Sequence, residues 1–85
     1  MAEVVADIRS GGPTAVMLLH GQPGTAADWQ WVTPLLDGRY TLIVPDRPGY
    51  GRTGGAATGF AGNARAAIGL LDRLGFERAV MVGHS

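Results

Sequence analysis

Ala15-Val16-Met17-Leu18-Leu19-His20-Gly21-Gln22-Pro23-Gly24 is an unbroken apolar run that stops in a loop of two glycines and a proline. Five consecutive apolar residues do not alternate, so both faces of that segment need cover. This predicts a strand buried within a parallel sheet. Before it, Ser10-Gly11-Gly12-Pro13 signals a turn and Val4 to Ile8 reads as a short strand, β-branched and partly alternating. After it, Thr25 is placed to cap a helix, with Asp28 near its positive end and Trp29, Val32, Leu35 and Leu36 along one face. Pro34 falls inside that pattern, so the helix is short or restarts there.

Asp37-Gly38 turns the chain into a second buried strand, Tyr40 to Val44, and Pro45 to Gly59 forms a long polar, glycine-rich loop. A second helix is expected from Phe60 to Leu74, with an apolar stripe of Phe60, Ala64, Ala67, Ile68, Leu71 and Leu74. Gly75 stands where a left-handed cap belongs. Ala79 to Val82 is a third buried strand, followed at once by Gly83-His84-Ser85. Strand, helix, strand, helix, strand is the pattern of an α/β fold with helices on both faces of a mostly parallel sheet.

Open α/β sheets bind ligands at the carboxyl ends of their strands. Here those ends carry His20-Gly21-Gln22-Pro23-Gly24, then Asp46-Arg47-Pro48-Gly49-Tyr50-Gly51-Arg52-Thr53, then Gly83-His84-Ser85. The last is the first half of G-x-S-x-G, in which a serine sits on a sharp strand-to-helix turn and bulky neighbours would clash. A following helix N-terminus helps stabilise developing negative charge. Gly-x-Ser by itself is common, so its weight comes from the two loops upstream.

The three motifs, in this order on three successive strands, resemble H-G-x-P-G, D-x-P-G-x-G-x-[ST] and G-H-S of the α/β-hydrolase fold superfamily, in its serine-nucleophile branch. The resemblance runs from about Val4 to Ser85. It implies a partial α/β-hydrolase sheet, cut off after the strand that leads to the nucleophile elbow. Residues 1–85 would then be the N-terminal part of one core domain. It further implies Ser85 as nucleophile and the backbone N–H of Gln22 as one oxyanion donor, the other belonging to the residue after Ser85. His20, Gly21 and Gly24 would shape the oxyanion loop. Asp46 would accept loop amides in a bracing loop, and Gly83 and His84 would flank the nucleophile. The family's chain order is Ser, then Asp or Glu, then His, so both triad partners are expected downstream.

Neither histidine suits the role of base. His84 is the neighbour of Ser85, and neighbours at an elbow point apart; His20 precedes the oxyanion loop. Asp28, Asp46 and Asp72 all precede Ser85. Trp29 and Trp31 are candidates for a substrate pocket, although Trp29 fits helix packing better. Gly49-Tyr50-Gly51-Arg52-Thr53-Gly54 matches G-x-G-x-x-G literally. However, Pro45 to Pro48 separate it from the strand and no helix opens on it, which disfavours a dinucleotide site.

Composition sets outer bounds. Eighty-five residues make at most one small domain. Zero formal net charge, 16% charged residues and no charge run argue against a nucleic-acid partner. There is no cysteine, hence no disulfide or thiolate metal site. The start, Met1-Ala2-Glu3-Val4, lacks the basic and apolar regions of a signal peptide. The longest apolar run is far short of the ~20 residues of a membrane span. A cytoplasmic protein with no membrane partner is the expectation; oligomeric state is open.

These readings predict hydrolysis of an ester, amide or related acyl bond of a small-molecule substrate, with no metal or cofactor implied. Serine at position 85 disfavours the aspartate-nucleophile branches, such as haloalkane dehalogenases and epoxide hydrolases. It leaves esterases, lactonases, cofactor-free haloperoxidases, carbon–carbon bond hydrolases and peptidases. Proline iminopeptidases have a similar loop but usually carry glycine where Gln22 stands. The 85 residues alone are expected to be inactive, and insoluble or molten, because the strand ending at Val82 becomes an exposed apolar edge. The alternative reading is a non-catalytic, hydrolase-like binding module or a degenerate remnant.

Overall fold

The computed structural model describes residues 3–84; Met1, Ala2 and Ser85 lie outside the described residues. Strands β1 (Ala6–Arg9), β2 (Ala15–Leu19), β3 (Thr41–Pro45) and β4 (Val80–Gly83) form one sheet in the order β1-β3-β2-β4. β2 pairs in parallel with both β3 and β4, while β1 runs antiparallel to β3. The sheet is therefore mostly parallel, with an antiparallel strand on one edge and β4 on the other.

The apolar run of β2 is buried because it lies between two strands and beneath elements on both faces. Ala15 and Met17 point into one cluster with Ile43, Ala67 and Leu70. Val16 and Leu18 point into another with Ala26, Leu42 and Val44. One face is covered by α2 (Phe60–Leu74), which ends at Gly75 in the left-handed region, φ 82°. The other is covered by the segment after β2. There the expected helix is divided into a 3-10 turn, Ala26–Trp29, and one short helix, α1 (Thr33–Leu36), which restarts with Pro34 in its first turn.

The apolar stripe of α2 differs from the expected one. Phe60 is 96% exposed and Ile68 59% exposed, and Ala64 is exposed as well. The face turned to the sheet carries Asn63, Ala66, Ala67, Leu70, Leu71 and Leu74. At 100° per residue this face is rotated roughly 60° from the stripe chosen by side-chain size. Ala67 and Leu70 join Ala15, Met17 and Ile43 in the buried cluster, with Leu71 and Leu74 packed against it. In β4, Val80, Met81 and Val82 are all exposed along the sheet edge. No helix among the described residues is long and apolar enough to cross a membrane.

Candidate active site at the strand ends

Three loops meet at the carboxyl edge of the central strands. The register pairs Leu19 with Gly83, and the His84 N–H donates to the Leu19 carbonyl at 3.1 Å. His20-Gly21-Gln22 and Gly83-His84 therefore leave the sheet side by side, about one strand spacing apart. Ser85, the expected nucleophile, lies outside the described residues.

His20 is buried and ties the first loop to the second. Its Nε2 accepts the Arg47 backbone N–H at 2.9 Å. An amide N–H has nothing to accept, so the ring proton must be on the other nitrogen. Nδ1 then donates to the Gly21 carbonyl at 2.7 Å. With both nitrogens engaged, His20 joins the two loops and has no free lone pair for a substrate. Tyr50 presses edge-on against it, ring centroids 5.3 Å apart, and the Arg47 guanidinium lies 5.1 Å from the Tyr50 ring centre.

Asp46 is 2% exposed and fully engaged. Oδ1 accepts the Ala26 N–H at 2.7 Å, and Oδ2 accepts the Arg52 backbone N–H at 3.0 Å and its Nε–H at 2.7 Å. Burial pushes this carboxyl up, but the Ala26 amide, the two Arg52 donors and the Arg52 charge together bring it below the usual carboxylate value. Thr53 completes the brace. Its hydroxyl donates to the Asp46 carbonyl at 2.6 Å and accepts the Val5 N–H at 2.9 Å. Gly51 must be glycine here: φ is +47°, and a Cβ would stand 2.7 Å from Asp46 Oδ2.

Within the first loop, Gly21 is buried and Gln22 exposed. No hydrogen bond among the described residues uses the Gln22 N–H. Gly24 packs against Asp28 Oδ2, the Gly21 carbonyl and His20, leaving no room for a side chain. Beside the loop, a hollow of about 430 Å³ is lined by His20, Asp28, Trp29, Gln30, Trp31, Val32 and His84. Trp29 also packs on the Val16–Leu18 side of the core, and its Nε1 is buried without a partner among the described residues. Trp31 is 80% exposed. No cluster of three or more His, Cys, Asp or Glu suited to a metal ion occurs among the described residues.

Sequence reasoning missed the part played by Arg47. It occupies the variable position of D-x-P-G, and nothing in the local pattern says that its side chain returns to the first loop. Its Nη2 donates to the Gly21 carbonyl at 3.2 Å.

Comparison with known proteins fits this geometry. The family profile described as the alpha/beta hydrolase family matches residues 16–85. A 2-hydroxy-6-oxo-6-phenylhexa-2,4-dienoate hydrolase of Comamonas testosteroni is 37% identical over 84 residues, which is 89% of this chain and 29% of the relative. Epoxide hydrolase A of Mycobacterium tuberculosis is 38% identical over 85 residues, 94% of this chain and 26% of the relative. The solved structure of an N-acyl homoserine lactone degrading enzyme superimposes with a TM-score of 0.86 at 30% identity, covering 96% of this chain and 32% of that one. The chain thus spans less than a third of the length of these proteins.

Proposed function

The chain belongs to the alpha/beta hydrolase family, and from that premise we propose that the whole protein hydrolyses an ester, amide or related acyl bond of a small molecule with Ser85 as nucleophile. The observation that carries this reading is the pairing of Leu19 with Gly83. It sets the segment leading into Ser85 beside the loop that holds the unengaged Gln22 N–H. In an acyl transfer the serine oxygen attacks the carbonyl carbon. The carbonyl oxygen gains charge, and a preoriented N–H within reach of it lowers the barrier. Gln22 supplies one such donor, and the residue after Ser85 supplies the second. A histidine downstream takes the serine proton and an acid holds that histidine, the division of labour of a serine triad.

The relatives include a 2-hydroxy-6-oxo-6-phenylhexa-2,4-dienoate hydrolase and an epoxide hydrolase as well as an N-acyl homoserine lactone degrading enzyme. A hydroxyl at position 85 favours acyl chemistry over the branches that attack with a carboxylate. No cofactor is needed for these steps, and the soluble, cytoplasmic reading of the sequence accords with a small-molecule substrate.

Activated esters and lactones of graded acyl length provide the test. Ser85→Ala in the whole protein should lower turnover by several orders of magnitude, since a triad loses most of its power with its nucleophile. Undiminished hydrolysis by that variant would overturn the assignment. Failure of the unaltered protein to turn over any member of the series would favour the binding-module reading.

A further inference from the structure

The peptide joining Gly21 to Gln22 is trans, the only cis bond among the described residues being Gln22–Pro23. A trans peptide is planar, with its C=O and N–H directed to opposite sides. Whatever holds the Gly21 carbonyl therefore aims the Gln22 N–H. Two donors converge on that carbonyl: His20 Nδ1 at 2.7 Å and Arg47 Nη2 at 3.2 Å. The Gln22 N–H, on the far side, is engaged by nothing among the described residues.

We propose that Arg47 is a positioning residue for the oxyanion hole, its guanidinium pinning the Gly21 carbonyl and thereby orienting and polarising the Gln22 N–H. The inference rests on the reading of Gln22 as an oxyanion donor and names the residue that prepares it. Arg47 acts twice on the same peptide. Its backbone N–H holds His20 at 2.9 Å, and His20 in turn holds the Gly21 carbonyl; its side chain reaches that carbonyl directly. Tyr50 steadies both, with its ring 5.1 Å from the guanidinium and edge-on to His20.

A cationic donor on a carbonyl withdraws density through the amide, and the N–H of that amide becomes a stronger donor. The arrangement also has a cost. Arg47 Nε is buried with no partner among the described residues. An unpaired buried donor is unfavourable, and what offsets it is the guanidinium's hydrogen bond to the Gly21 carbonyl and its place over the Tyr50 ring.

The test is steady-state hydrolysis of an activated ester by the whole protein with Arg47→Met and Arg47→Lys, together with affinity for a boronic acid that forms a tetrahedral adduct. Direct loss of an oxyanion donor costs about 10²–10³ in kcat, so loss of its positioning residue should cost about tenfold, with KM nearly unchanged. Boronate affinity should fall in proportion to kcat/KM, and Arg47→Lys, which keeps a cationic donor, should lie between parent and Arg47→Met. Parent-like kcat and boronate affinity in both variants, or a loss confined to KM, would overturn the proposal. Ser85→Ala in parallel separates the two claims. Turnover that survives it removes the serine reading and this proposal with it. Turnover lost in Ser85→Ala but intact in both Arg47 variants removes the Arg47 proposal alone.

Discussion

Asp46 shows how much of this site depends on single groups. One buried carboxylate joins the turn after the first loop, through the Ala26 N–H, to the middle of the second loop, through Arg52. Because its carboxyl lies below the ordinary value in the folded chain, its contribution is complete above the unfolded pKa of about 4 and is lost as pH falls through the folded value. Asp46→Asn should cost about 2 kcal/mol near neutrality, the scale of a charge-assisted hydrogen bond left half-made. That gap should narrow as pH drops from about 5 towards 3. Denaturant titrations of the whole protein and the variant at several pH values check this; a gap independent of pH would contradict it. The motif D-x-P-G-x-G marks Asp46 and Gly51 at a glance, because a buried acid and a left-handed glycine leave specific residue types behind. Arg47 left no such trace, since a long flexible side chain can end at many places and only the fold selects one.

At the level of elements, β2 was readable to the residue, Ala15 to Leu19, because a strand covered on both faces has no polar position to blur its limits. The span of α2 was equally plain from its glycine ends, Gly59 and Gly75. Its buried face was not. Large side chains pointed to Phe60 and Ile68, whereas the residues of α2 buried in the core are Ala67 and Leu70. The consequence is testable. Leu70 is 2% exposed, so Leu70→Ala should lower stability by about 2–5 kcal/mol through lost contacts and a residual cavity. Chemical denaturation would reveal a midpoint shift of that size; a change under about 0.5 kcal/mol would mean that the helix packs on another face. The antiparallel pairing of β1 was also hidden, because four residues of mixed pattern carry no direction.

For the whole molecule, the Cα radius of gyration of 11.9 Å is what a compact body of this length has, about 12 Å. The edge at β4 nonetheless remains uncovered, with Val80, Met81 and Val82 exposed, and the chain spans less than a third of the relatives reported above. The fold was legible because three loops of unusual composition follow three apolar strands in order, although the third of those strands, β4, is exposed rather than buried as its sequence suggested. Substrate choice was not, since the hollow beside Trp29, Trp31 and His84 is open to solvent. The central claim is the identity of the nucleophile, and its most direct measurement is intact-mass and peptide mass spectrometry of the whole protein after exposure to a phosphonofluoridate. The account predicts one adduct per chain, on the peptide containing Ser85, and none in Ser85→Ala. Adduct on another residue, or hydrolytic activity that persists while Ser85 stays unmodified, would contradict it.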